Sequence, residues 1–352
     1  MTNYNIAVIA GDGVGPEVID EGKKALEAIG DPLFTFTDLE WSSDFYRKTG
    51  RFIPEGGLDD IRNMDAIYFG AVGDPDIQDH VTLNNLILPI RRHFDQYACV
   101  RPAYLYHGVD SPLVRYSGGD IDMEVVRENT EGEYSDVGGR IYQQSSNEVA
   151  VQTAVFTRHG TERIIRYAFE LARKRKKKFK VTSVTKSNAQ GYSMVFWDEV
   201  FEQVATEYSD VSTESLLVDA ASMDFIRRPN DFDVVVASNL FGDILTDISA
   251  IIVGSMGLAP SANINPERKA PSMFEPVHGS AFELIGKGEV NPLATIIAGA
   301  MMIEFLGEKD TGARIRKAVA ANLRESDIRT PDIGGSASTS QVGDDIASRI
   351  AG

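Results

Sequence analysis

The sequence predicts an α/β protein, either two domains or one large α/β unit, and three observations carry that expectation. Strand-like apolar runs alternate with helix-like amphipathic runs along most of the chain. Several strand-like runs are uniformly apolar, as strands buried on both faces of a parallel sheet are. The chain has 352 residues, enough for more than one domain at roughly 100 to 200 residues each.

In chain order, 4–10 reads as a first strand and 16–29 as the helix after it, with Pro16 suited to the first helical position. A strand at 65–72 precedes a helical stretch around 86–95, and 122–127 and 148–157 read as extended. In the helix predicted at 161–175, Ile164, Ile165, Ala168 and Leu171 form one apolar stripe. Strand 179–185, helix 194–208, strand 215–218, strand 234–237 and a helix from Phe241 continue the alternation. The longest apolar stretch, 294–306, is interrupted by Glu304 and is shorter than the roughly 20 residues that cross a bilayer, so it reads as a buried core helix. Residues 1–10 lack a basic region and read as a strand rather than a signal peptide, so a cytoplasmic protein with no membrane partner is expected. No repeat or low-complexity tether marks a domain boundary.

Composition narrows the function. Hydrophobic residues at 43% and charged residues at 25% exclude disordered and fibrous classes. The 35 Lys and Arg against 52 Asp and Glu give a net charge of −17, which repels nucleic acid and acidic membranes. Arg outnumbers Lys, a balance that suits a saline cytoplasm but also occurs in ordinary enzymes. The basic run 173–180, at the end of a predicted helix, reads as a solvated helix terminus rather than an RNA contact. A single cysteine, Cys99, excludes an intrachain disulfide and multi-thiolate metal sites. The histidines, His80, His93, His107, His159 and His278, show no H-x-x-x-H or H-E-x-x-H spacing, which disfavours zinc hydrolysis.

Four constellations can carry chemistry. Gly11-Asp12-Gly13-Val14-Gly15-Pro16-Glu17 follows a strand and opens a helix. It lacks the third glycine of a dinucleotide phosphate loop, so a structural turn is the better reading. Asp219 ends an apolar run, while Asp243 and Asp247 are spaced i, i+4 and project from one helical face. Such paired carboxylates suit Mg²⁺ or Mn²⁺, with a solvated acidic face as the alternative. Arg91, Arg101 and Arg127 are placed to fork around a carboxylate or to make surface ion pairs. Lys186, just after a strand, and Tyr134 are candidates to take and return a proton, each ambiguous alone.

Together these segments resemble the metal-dependent β-decarboxylating dehydrogenases: isocitrate, 3-isopropylmalate, homoisocitrate and tartrate/D-malate dehydrogenases. The resemblance covers nearly the whole chain. It rests on the glycine-rich turn, the Arg91 to Arg101 block, Val126-Arg127-Glu128-Asn129-Thr130-Glu131-Gly132-Glu133-Tyr134, Thr185-Lys186-Ser187-Asn188, Asn239-Leu240-Phe241-Gly242-Asp243-Ile244-Leu245-Thr246-Asp247 and Glu275-Pro276-Val277-His278-Gly279-Ser280-Ala281. It implies the family's two-domain α/β fold, unlike the Rossmann fold. Residues 1–98 and 253–352 would build the NAD-binding domain, and 99–252 a middle domain with the dimer interface, metal ligands and catalytic residues.

The resemblance also assigns roles. Asp219, Asp243 and Asp247 would hold Mg²⁺ or Mn²⁺; a need for K⁺ in addition is left open by the sequence. Lys186 would be the base and Tyr134 the acid. Arg91, Arg101 and Arg127 would clamp the substrate carboxylate, with Ile87 and Asn188 also at the substrate. Glu275, His278, Gly279, Ser280, Ala281, Glu283 and Asn291 would bind NAD. Phe282-Glu283-Leu284 departs from the Pro-Asp-Ile usual in NAD-dependent members, but Glu283 still repels a 2′-phosphate. A homodimer is implied, with Lys186 and Asp219 lent to the neighbour's active site. The expected reaction is NAD-dependent oxidative decarboxylation of a small 2-hydroxy dicarboxylic acid. Segments 41–46, 79–83, 94–97 and 166–172 look most like tartrate/D-malate dehydrogenases, although that branch usually carries Trp-Gly where this chain has Asn84-Asn85. D-malate or tartrate therefore ranks first and 3-isopropylmalate second, with isocitrate and homoisocitrate behind. A non-catalytic metabolite-binding homologue is the alternative of a different class.

Overall fold

The computed structural model describes residues 2–352. Twelve strands occur among them: β1 (Asn3–Gly11), β2 (Leu33–Asp38), β3 (Ala66–Ala71), β4 (Ala98–Tyr104), β5 (Asp122–Glu128), β6 (Gly132–Ile141), β7 (Val149–Val155), β8 (Lys180–Thr185), β9 (Ser212–Leu217), β10 (Val234–Ala237), β11 (Pro260–Ile264) and β12 (Ser272–Pro276). The chain divides into two compact units. The first comprises Met1–Gln96, Val100–Asp122 and Ser249–Gly352, the second Tyr97–Cys99 and Met123–Ile248. Val100–Asp122, which the sequence reading put in the middle domain, groups here with the terminal segments.

In the first unit the strand order is β2-β1-β3-β12-β11-β4. β1 lies parallel to β2 and β3, and β12 is parallel to β3 but antiparallel to β11. Helix Leu293–Leu306 packs on β11 and β12 and is buried almost throughout, as its unbroken apolar run predicts. Helix Gly15–Glu27 covers the same side, with Pro16 in its first turn and Val18, Ile19, Ala25 and Leu26 turned inward. Each large aliphatic side chain so buried contributes roughly 1.5 to 3 kcal/mol.

The stretch expected as a helix near 86–95 starts earlier, at Asp79, and passes through a π-helical turn at Leu83–Ile87 before the α-helix Leu88–His93. Pro89 explains the wide turn, because it has no N–H for the carbonyl four residues back and its ring crowds that position.

The second unit has the parallel order β5-β10-β8-β9, with β6 and β7 as a separate antiparallel pair. β10 is wholly buried, as its apolar run predicts, and Val181–Thr185 of β8 is buried as well although Thr182, Ser183 and Thr185 make it less apolar than expected. β9 departs from that expectation. It is an edge strand, half exposed, because it pairs on one side only and runs Ser-Thr-Glu-Ser before its two leucines. The basic run also departs from full solvation: Arg175 sits only 10% exposed between Glu124 and the fully buried Asp233. No helix of the described residues is long and apolar enough to cross a membrane.

Candidate active site

In the second unit, β5 delivers Arg127 to the start of helix Asn239–Ile252. Arg127 is 2% exposed. Its Nε and Nη2 donate to Asn239 Oδ1 at 2.9 and 2.7 Å, and its Nη1 pairs with the Asp243 carboxylate. Gly242 is required at the crossing, since a Cβ there would lie 2.6 Å from the Arg127 Cβ. Tyr134 on β6 donates its hydroxyl to the other Asp243 oxygen at 2.9 Å, and the guanidinium lies 5.2 Å from the centre of its ring. Asp243 is therefore held by two groups from two strands, while Asp247 stands one turn further along the same face, exposed.

Lys186 leaves the end of β8 in a turn closed by Ala189 and Gln190 N–H groups donating to its carbonyl. Its Nζ pairs with Asp219, and this contact holds the Asp219 carboxyl below the usual carboxylate range. Asp219 lies not at a strand end, as expected, but in the first turn of helix Val218–Arg227, because β9 stops at Leu217. The helix start favours its negative charge. Asn188 is exposed in the turn after Lys186.

The sequence-predicted residues thus gather into two sets in this unit, Arg127, Tyr134, Asp243 and Asp247 in one and Lys186 with Asp219 in the other. The structure does not bring the three aspartates into one group: among the described residues, no three His, Cys, Asp or Glu side chains are placed to hold a metal ion. The donor chemistry nevertheless fits a hard divalent cation, two carboxylates on one helical face awaiting further oxygen ligands.

The loop from Glu128 is fixed by a carboxylate that sequence reasoning missed. Glu128 is buried and accepts from Thr130 N at 3.0 Å, Thr130 Oγ1 at 2.8 Å and Glu131 N at 2.9 Å. Burial pushes its carboxyl up from an ordinary 4.5 to about 7. The folded state then binds the proton more tightly than the unfolded chain, so this group's contribution to stability falls as pH rises from about 4.5 to about 7. Urea midpoints at pH 5, 6, 7 and 8 should show wild type losing stability relative to Glu128→Gln up to pH 7 and running parallel above it. A constant difference across that range would contradict the assignment.

In the first unit, Arg91 donates to Glu275 Oε1 at 3.1 Å, an oxygen that also accepts from Asn263 Nδ2 at 2.6 Å, and both partners of the ion pair are buried. Arg101 reaches Ser261 Oγ at 3.4 Å. Ile87, on the π-helical turn, packs against the apolar core of β1 and β3. Asn291 is committed to structure, accepting from Leu293 N at 3.0 Å and donating to Asp332 at 3.0 Å. Gly279 and Glu283 are exposed, and Ala281 takes a left-handed backbone with φ of 40°. His278 Nδ1 lies 3.0 Å from the Gly279 carbonyl oxygen. Its Nε2 is buried without a partner, and desolvation lowers the pKa of the ring. This unsatisfied ring nitrogen is a polar group on the 275–291 loop that a bound ligand can satisfy.

The glycine-rich turn is structural. Val14 N–H donates to the Ser280 carbonyl at 2.9 Å, the position a phosphate would take in a dinucleotide loop. Asp12, another residue not singled out from sequence, ties the turn down by accepting from Ser43 N at 2.8 Å, Ser43 Oγ at 2.7 Å and Gly73 N at 3.0 Å. Its signal was a carboxylate set between two glycines at a strand end. Gly13 has φ of +61°, and a Cβ there would sit 2.0 Å from the Ser280 oxygen. Gly13→Ala is therefore expected to displace the 278–283 segment, raising KM for the nicotinamide cofactor about tenfold with kcat nearly kept, and to cost roughly 1 to 3 kcal/mol. Steady-state kinetics with a thermal melt checks this, and an unchanged KM would show the contact to be dispensable.

A decarboxylating dehydrogenase of the isocitrate and isopropylmalate type is what these features define. The family model described as isocitrate/isopropylmalate dehydrogenase matches residues 5–346, and the chain belongs to that family. It is 50% identical to a probable tartrate dehydrogenase/decarboxylase of Agrobacterium vitis, across 100% of this chain and 99% of that protein. It is 47% identical to a D-malate dehydrogenase [decarboxylating] of Escherichia coli, across 99% of each. The crystal structure of isocitrate dehydrogenase from Methylococcus capsulatus superposes with a TM-score of 0.90 at 35% identity, covering 99% of this chain and all of that one. The fold is therefore that family's two-part α/β arrangement.

Proposed function

We propose that the protein is a cytoplasmic, NAD-dependent dehydrogenase that oxidatively decarboxylates D-malate or tartrate, requires Mg²⁺ or Mn²⁺, and works as a homodimer with shared active sites. The observation that carries this reading is the separation of the chemistry into two sets on one chain, Asp243, Asp247, Arg127 and Tyr134 in one and Lys186 with Asp219 in the other. A second copy of the chain supplies what each set lacks. Exposed apolar residues in the second unit, Val137, Ile141, Val149 and Val151 on the β6–β7 pair and Met223 and Ile226 on helix Val218–Arg227, support an interface there.

In this mechanism Asp243 and Asp247 of one chain and Asp219 of the other hold the divalent ion. When bound, it supplies Lewis-acid polarisation of the substrate oxygen. The nicotinamide ring supplies the hydride acceptor. Lys186 Nζ takes the proton from the substrate hydroxyl. Arg91, Arg101 and Arg127 bind the carboxylate that departs as CO₂, and Tyr134 returns a proton to the carbon it leaves. Asn188, exposed beside Lys186, and Ile87 line the substrate. His278, Gly279, Ser280, Ala281, Glu275 and Asn291 hold or shape the cofactor loop, and the Glu283 carboxylate disfavours a 2′-phosphate by repulsion.

The ranking of substrates follows the tartrate and D-malate relatives, with 3-isopropylmalate second and isocitrate and homoisocitrate behind. Initial rates with D-malate, L- and meso-tartrate, 3-isopropylmalate and isocitrate test it, each with NAD and NADP and with metal removed and restored. Fastest turnover of D-malate or a tartrate with NAD and metal is expected. No turnover of any of these acids would favour a non-catalytic binding protein instead.

A further inference from the structure

We propose that Glu133 is a positioning residue that sets the two aspartates of helix Asn239–Ile252 in place. This rests on the reading of Asp243 and Asp247 as metal ligands. A serine just before a helix usually turns its own oxygen onto the first free N–H groups. Ser238 does not: its hydroxyl donates to Glu133 Oε1 at 2.8 Å, and the N–H of Leu240 goes to Glu133 Oε2 at 3.1 Å. The helix cap therefore comes from β6, more than 100 residues away in sequence. A carboxylate there also meets the positive end of the helix dipole.

Glu133 directly precedes Tyr134, which donates to Asp243 at 2.9 Å. Consecutive residues of one strand thus grip the helix at two points about a turn apart, Leu240 and Asp243. A third tie lies just before them, where Asn239 Nδ2 donates to the Glu131 carbonyl at 3.1 Å. At Gly132, φ is +74° and a Cβ would come 3.4 Å from that of Asn239, so the strand lies close against the helix start. Fixed at these points, the helix can neither rotate nor slide without breaking a bond to β6, and the direction of the Asp243 and Asp247 oxygens is set with it. Groups that orient metal ligands in this way are typically worth about 10- to 100-fold in metal affinity or activity.

The test is Mn²⁺ binding to the full-length protein, read from the electron paramagnetic resonance signal of free Mn²⁺ and so independent of turnover, with thermal melts alongside. Glu133→Ala is expected to raise the Mn²⁺ dissociation constant roughly tenfold or more. Glu133→Gln, whose amide oxygen still accepts from Leu240, should stay within about threefold of wild type. Should the alanine variant fail to fold, Glu133→Asp serves: one methylene shorter, it cannot reach both donors, and its affinity should fall between the other two. Wild-type affinity in the alanine or aspartate variant, with only the melting temperature lowered, would reduce Glu133 to a structural cap and overturn the inference. Mn²⁺ binding that Asp243→Asn leaves intact in the wild-type background would instead overturn the ligand assignment beneath it.

Discussion

Replacing Lys186 by alanine is expected to cut kcat about 10³-fold while leaving the dissociation constant for NAD within about threefold of wild type. The amine extends from the end of β8, and among the described residues its ion pair is with Asp219. Asp219 is 60% exposed, so losing this pair should barely change stability, as exposed ion pairs contribute little. Stopped-time assays of NADH formation, with cofactor binding followed by calorimetry, separate the two effects. Undiminished rates would remove Lys186 from its role as base.

Asp243→Asn should be equally severe and for a different reason. Asparagine keeps the shape and still accepts from Tyr134, but it removes the charge that faces the Arg127 guanidinium and one of two carboxylates on the helical face. Turnover is expected to fall about 10³-fold and Mn²⁺ affinity by about 100-fold or more. Folding should suffer as well. Arg127 is almost fully buried and keeps Asn239 as acceptor for Nε and Nη2, so the loss is on the order of 2 kcal/mol, less than for a wholly enclosed pair because Asp243 is 35% exposed. A melt and a Mn²⁺ titration on one preparation read both. A variant destabilised but fully active would leave Asp243 as a structural partner of Arg127 alone.

The parts of the fold legible in the sequence were those where burial is apolar and periodic. β10 matches its expected limits, and helix Leu293–Leu306 starts one residue before its own, because an unbroken apolar run has only one way to be satisfied. β11 and β12 were not read, although both are wholly buried. Their interiors carry Ser261, Asn263, Ser272 and Glu275, whose polar groups are satisfied by partners such as Arg91, 184 residues from Glu275, and no local pattern announces such a bond. The same division runs through the site. The i, i+4 pair Asp243 and Asp247 is visible as spacing, whereas the grip of Arg127 and Tyr134 on Asp243 spans 116 and 109 residues and is a product of folding. Asp219 was placed one element too early because Leu217 and Val218 continue the apolar run that β9 abandons for a helix.

The claim that one active site draws on two chains is tested most directly by mixing two inactive variants. Lys186→Ala and Asp243→Asn chains, each dead as a homodimer, are combined in equal amounts, dissociated and reassembled. In a mixed dimer, intact Asp243 from one chain meets intact Lys186 from the other at one of the two sites, so about a quarter of wild-type activity should return. Activity no higher than that of either variant alone, with mixed dimers shown to have formed, would place both residues in a site built by a single chain and contradict the account.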